Sequence, residues 1–258
     1  AALSIVGSAV AQVTISGQIA VGARKDGAVT YIGRTDGNIN VKSVENLGGG
    51  LTLTANGGLD LAARAANVNA RNLGLSLSSA TAGTLTYYSN DVTTLSRLSM
   101  GGAVSLGEDL DDLYGAAGQL TAVSYSAPKM GNVTLSYGVS ARTAAGRLDT
   151  ADLSKTAVLG AVYAAGPLSI GVNYSPELQR TRADMSFDAK VAVIEAHMNS
   201  SYTGVADAFS EFGVAVPMGA MTIGAGYSTR GTTSGTAVGV SYALSKQTSI
   251  QTAYASLK

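Results

Sequence analysis

Glu108, Asp109, Asp111 and Asp112 form the densest charge cluster in the chain. Carboxylates this close repel one another, and stay ionised together only where water, a cation or nearby arginines offset the charge. Their spacing is not that of an EF-hand loop, which alternates its ligands around an obligatory glycine, so a role for Ca²⁺ is left open. His197 is the single histidine, with Glu195 two positions before it. An imidazole beside a carboxylate can move a proton, but hydrolysis also needs a nucleophile within reach. One histidine and no cysteine exclude multi-histidine and thiolate metal centres, and cysteine nucleophiles with them. Gly224-Ala225-Gly226 resembles a phosphate cradle but lacks the strand-to-helix setting such loops require.

The elements around these residues follow a period of two. Val13, Ile15, Ile19 and Val21 alternate with Thr14, Ser16 and Gln18. Leu73, Leu75 and Leu77 alternate with Gly74, Ser76 and Ser78; Leu168, Ile170, Val172 and Tyr174 alternate with Ser169, Gly171, Asn173 and Ser175. Strict alternation means strands with one apolar and one polar face. About fifteen such segments recur, within the range of bacterial barrels. Gly- or Pro-bearing turns fall near residues 46–50, 80–83, 128–132, 165–167, 217–220 and 244–248, with longer polar connections between them. Pro176–Asp188 reads as a loop with a short strand. The alternation stops at Asn90 and resumes at Gln119, so the acidic cluster sits in the one long interruption.

The charges choose a face. Arg24, Lys42, Asp60, Arg64, Arg142, Glu195, His197, Glu211 and Arg230 all share the parity of the Ser/Thr/Asn face. Arg71 is the exception, on the parity of Leu73; a strand end or a bulge would account for it. A Lys or Arg facing lipid at mid-membrane costs ~2–4 kcal/mol, and a water-filled lumen removes that cost. The expected fold is therefore all-β, a transmembrane antiparallel β-barrel with a polar interior. A soluble sandwich would need more Leu, Ile and Phe between its sheets. Tyr87, Tyr125, Tyr137, Tyr163, Tyr174, Tyr227, Tyr242 and Tyr254 lie on the apolar parity, as an interfacial aromatic belt requires.

Bulk properties agree. Mean hydropathy is +0.21 with 13% charged residues, yet no apolar run is long enough for a spanning helix. Net charge is zero and the pI is near 6.8, which leaves no electrostatic case for nucleic acid. Ala1–Ala11, AALSIVGSAVA, reads as the end of a secretory apolar region with an A-x-A site before Gln12. Residues 1–11 are thus expected to be a signal-peptide remnant, residues 12–258 the barrel, and the protein to be exported.

The chain resembles the Gram-negative general porins, specifically the neisserial and β-proteobacterial type. The resemblance is carried by Glu45–Leu51 (ENLGGGL), Asn72–Leu77 with Gly83–Leu85 (NLGLSL…GTL) and Tyr125–Gly131 (YSAPKMG). Gly166–Tyr174 (GPLSIGVNY), Phe212–Tyr227 (FGVAVPMGAMTIGAGY) and Tyr242–Tyr254 (YALSKQTSIQTAY) continue it. It implies a sixteen-stranded, homotrimeric outer-membrane barrel, about fifteen strands of which are visible, with a third loop folded inward. That loop would be Asn90–Gly118, and Glu108, Asp109, Asp111 and Asp112 would line the pore constriction. It also implies passive diffusion of small hydrophilic solutes and ions, with no cofactor and no catalysis. Family members close on a strand ending in an aromatic residue, whereas this chain ends Ser256-Leu257-Lys258, so truncation at both ends is expected. Ser89 and Ser124 stand where pore arginines are often found, which weakens the basic side of the constriction. Two alternatives are kept: a barrel with a structural or adhesive role, and a barrel hydrolase built on His197.

Overall fold

In a computed structural model of the protein, residues 12–26, 29–61, 69–90, 120–141, 157–201 and 206–258 are described. They sort into two compact units. The first holds β1 (Gln12–Asp26), β2 (Val29–Gly48), β3 (Leu51–Asp60), β4 (Asn69–Ser79), β5 (Gly83–Asn90) and β6 (Leu120–Ser126). The second begins with β7 (Val133–Ala141), which belongs to it through Val139, followed by β8 (Ala157–Ala165) and β9 (Leu168–Ser175). It continues with β10 (Arg180–Asp188), β11 (Val193–Asn199), β12 (Phe209–Met218), β13 (Met221–Arg230), β14 (Thr233–Ala243) and β15 (Ser249–Leu257). Within each unit every strand pairs antiparallel with the next in sequence.

The alternation read from the sequence places the side chains as expected, with burial reversed from that of a water-soluble sheet. Apolar residues such as Val172 (43% exposed), Ile15, Leu135, Phe212 and Ile223 lie open to the surroundings. Polar residues on the opposite face, Asn173, Arg182, Asp184, Glu195 and His197, are buried. Apolar area costs roughly 25 cal/mol per Å² in water. A sheet that exposes its Val, Leu and Ile while covering its charges is therefore built for an apolar solvent outside. All eight tyrosines assigned to the aromatic belt are on the exposed face. In β7–β9, Tyr137, Leu159 and Tyr174 share one row, and Tyr163 with Ile170 another nearer the β8–β9 turn.

Register resolves the Arg71 exception. β3 and β4 pair Asn56 with Gly74, then Gly58 with Arg71, so β4 carries an extra residue there. One inserted residue flips the faces of everything beyond it. Arg71 thereby pairs on the row of Gly58, which shares parity with Asn56, and Leu59 pairs with Ala70.

Two corrections concern β10 and the turn after β13. Pro176–Asp188 is not mainly loop: a short turn leads into the nine-residue strand β10. The connection after β13, expected among the longer polar ones, is only two residues, since β14 starts at Thr233.

Turn glycines are of two kinds. Gly83 has φ +82°, and a Cβ there would run into the Ser126 carbonyl oxygen and lie 3.0 Å from the Tyr125 hydroxyl. That hydroxyl donates to the Ala82 carbonyl at 2.9 Å, so the ring cannot simply move away. Gly166 has φ +56° with open space around it. Gly83→Ala is therefore expected to cost about 2–3 kcal/mol, strain plus clash, and Gly166→Ala about 1 kcal/mol, for its positive φ alone. Urea unfolding of the two variants in lipid vesicles measures the difference.

Candidate functional site

The polar faces of β9 to β13 meet in one patch, laid out by register. One row runs Gly171, Asp184, His197, Glu211, Ser228. The next, toward the 176–179 turn, runs Asn173, Arg182, Asn199, Phe209, Arg230. Same-face residues on neighbouring strands sit close enough to touch directly or diagonally.

At its centre His197 is fully buried and Asp184 is 1% exposed. The Nδ1 atom of His197 is hydrogen-bonded to Asp184 Oδ1. Arg182 Nη2 approaches His197 Nε2 at 3.3 Å, and Arg182 Nε lies 3.7 Å from Asp184 Oδ1. Phe209 covers the imidazole, ring centres 5.6 Å apart and tilted by 53°. Above the triad, Arg180 Nε donates to Asn199 Oδ1 at 2.7 Å. Below it, Glu195 is 5% exposed and its Oε2 has no hydrogen-bond partner among the described residues, nor has Asp184 Oδ2 or Ser228 Oγ. Three guanidiniums (Arg180, Arg182, Arg230) and three carboxylates (Asp184, Glu195, Glu211) thus share one sheet face with a single imidazole.

Of the residues singled out from sequence, Glu195, His197, Glu211 and Arg230 are brought together here. Lys42 lies in β2 on the row of Thr14 and Asn56 and is exposed. Arg24 pairs with Tyr31, and Asp60 with Asn38 and Asn69; their side chains lie outside the described residues. Arg64, Arg142, Glu108, Asp109, Asp111 and Asp112 also fall outside them, as do residues 1–11 and all of 91–119.

The sequence reading missed Arg180, Arg182, Asp184 and Phe209. The signal was present: Arg180, Arg182, Asp184 and Ser186 alternate with Thr181, Ala183, Met185 and Phe187. A correction applies to Ser89, which pairs with Leu73 and so lies on the apolar row, next in parity to Tyr87. Ser124 pairs with Thr86 on the polar row. Tyr88, not Ser89, takes the polar register, opposite Gly74 and Ala122. Among the described residues no group of three or more His, Asp or Glu is placed to hold a metal ion.

Among the described residues no helix is long and apolar enough to cross a membrane. The crossing elements are the strands, with lipid on the apolar face and water on the polar one. A chain built this way is a membrane-spanning β-barrel channel. The family model of the Gram-negative porin matches residues 1–258, and the chain belongs to that family. It is an outer-membrane porin, a channel of the bacterial outer membrane. No curated protein matches it by sequence.

Solved porins share the fold at low identity. A mutant of Rh. blastica porin superposes with TM-score 0.70 at 11% identity, over 95% of this chain and 94% of that one. A second mutant of Rhodopseudomonas blastica porin gives 0.65 at 12%, with the same coverage. OmpT of Vibrio cholerae, solved in a trimer form, gives 0.62 at 13% identity, over 96% of this chain and 88% of that one.

Proposed function

We propose that the chain forms a water-filled pore for passive diffusion of small hydrophilic solutes and ions, weakly selective with a lean toward cations, working as a homotrimer without catalysis. The observation that carries this is the reversed burial: apolar side chains outward, a charged and hydrogen-bonding wall on the other face. Weak selectivity is supported by the balance of three arginines against three carboxylates on β10–β13. The absence of chemistry is supported by His197, both of whose ring nitrogens are engaged, by Asp184 and Arg182. In the row, Glu211 stands between His197 and Ser228, which separates the imidazole from that hydroxyl. The trimer is supported by the trimer form of OmpT.

The lean toward cations comes from Glu108, Asp109, Asp111 and Asp112, proposed to line the constriction. Their segment joins β5 to β6, the third connection on that side after β1–β2 and β3–β4, as an inward third loop requires. Lys42, Arg24, Asp60, Arg64 and Arg142 are proposed to face the same water.

Planar-bilayer recording tests the reading. An ohmic conductance closing in three equal steps is expected. Glu108→Gln, Asp109→Asn, Asp111→Asn and Asp112→Asn together should lower the cation-to-anion permeability ratio about twofold or more. An unchanged reversal potential in the quadruple variant removes the loop from the account, and the lack of any conductance from a folded barrel removes the pore.

A further inference from the structure

We propose that Glu195 and Ser228 border a recess in the pore wall that binds one small monovalent cation, drawn from the water of the channel. The proposal rests on the reading that the polar face of β9–β13 lines the pore. Register lays the recess out. Glu195 in β11 pairs with Gly213 in β12, Gly213 pairs with Gly226 in β13, and Gly226 pairs with Ala237 in β14. The next row, toward the 219–220 turn, holds Ala215 opposite Gly224. Side chains alternate between faces, so these glycines and alanines share the face of Glu195. Beside the carboxylate the wall is therefore lower by the depth of a side chain. Glu211 and Ser228, a directly paired couple, close the recess toward the 231–232 turn.

Two buried oxygens on this border point to a ligand. Glu195 is 5% exposed and Ser228 is wholly buried. Glu195 Oε2 and Ser228 Oγ have no hydrogen-bond partner among the described residues. A carboxylate only accepts, and out of bulk water it needs donors or a positive charge against it. Two of the nearby arginines make contacts elsewhere. Arg180 bonds Asn199, two rows from Glu195, and Arg182 lies against His197 and Asp184, one row away. Two ladder spacings of about 4.8 Å and two residues of about 3.4 Å put the Cα atoms of Glu195 and Ser228 about 12 Å apart. Extended toward each other over the two glycines, a glutamate and a serine leave about 5 Å between their oxygens, room for one ion touching both. One carboxylate calls for one positive charge. No group of three or more His, Asp or Glu among the described residues is placed to hold a metal ion, which argues against a divalent centre.

Glu195→Gln tests the assignment. The amide keeps the shape of the acid without its charge, and it also mimics a carboxyl that never gives up its proton. One unit charge about 7 Å from an ion's path changes the balance of cations to anions roughly twofold at about 0.1 M salt. In planar bilayers in about 0.1 M potassium chloride, the cation-to-anion permeability ratio of the full chain should therefore fall about twofold in Glu195→Gln. Ser186→Ala, on the opposite side of Glu195 in the same row, should leave the ratio as it is. An unchanged ratio in Glu195→Gln overturns the proposal, because the native carboxyl then carries no charge that ions sense. Crystals of the wild-type chain grown in rubidium chloride give a second readout that needs no variant. An anomalous-scattering peak between Glu195 Oε2 and Ser228 Oγ is expected. Water alone at that place overturns the proposal, even where Glu195→Gln fails to assemble. If the wild-type chain conducts nothing, the pore reading itself falls. If it conducts and rubidium does not enter the recess, only the cation site falls.

Discussion

Replacing Asp184 by alanine is expected to lower the unfolding free energy by about 3–5 kcal/mol, the cost of stranding a buried charge by removing its partner. Both side chains of the Arg182–Asp184 pair are almost wholly out of solvent, so water cannot take the place of the lost carboxylate. The effect reaches two neighbours. Arg182 keeps a charge with the Asp184 carboxylate gone, and His197 loses the partner of its Nδ1 atom. A double-mutant cycle separates the pair from the packing. Arg182→Ala with Asp184→Ala together should cost clearly less than the sum of the single changes, because the second removal takes away the stranded charge. Equilibrium urea unfolding in lipid vesicles supplies all four corners. Additivity within about 0.5 kcal/mol would mean that the two residues act independently, and the account of the triad as one unit would be wrong.

Val41→Lys gives the second large effect, with a neighbour as its control. Val41 and Lys42 are adjacent in β2 but on opposite faces. Val41 is 42% exposed and pairs with Ile15 and Gly57; Lys42 pairs with Thr14 and Asn56. A lysine on the lipid face near mid-membrane costs about 2–4 kcal/mol. The native lysine one residue away lies on the opposite face, in the row of Thr14 and Asn56. Val41→Lys should therefore destabilise the barrel in that range, while Lys42→Val changes stability by about 0.5 kcal/mol or less. The assignment of faces predicts the asymmetry directly. Equal costs at the two positions would mean that the apolar face is not the one in lipid.

The alternation of faces could be read from the chain because it depends only on neighbours along the strand. Side chains at i and i+2 share a face wherever the backbone is extended, whatever it pairs with. The lipid-facing Leu, Val, Ile and Tyr residues and the polar parity of Glu195, His197, Glu211 and Arg230 followed from that alone. β10 was harder to see. Its polar row is so heavily charged, and its other row so mixed (Thr181, Ala183, Met185, Phe187), that hydropathy contrast is low. Arg71 and Ser89 show another limit. A bulge or a cross-strand partner decides their faces, and neither leaves a mark in local composition.

The sequence by itself determined the class of solvent on each side of the sheet, the positions of several turns and the family. The acidic interruption that first drew notice, Glu108 to Asp112, rests on that level still. What only the tertiary structure decided is which charges meet. Arg182 and Asp184 come to His197 from the neighbouring strand, thirteen to fifteen residues away in sequence. The partner across a ladder is set by register, and register is fixed by turn length and bulges elsewhere in the chain rather than by the residues that it brings together. For that reason the histidine was visible from the sequence, but its contacts with Asp184 and Arg182 were not.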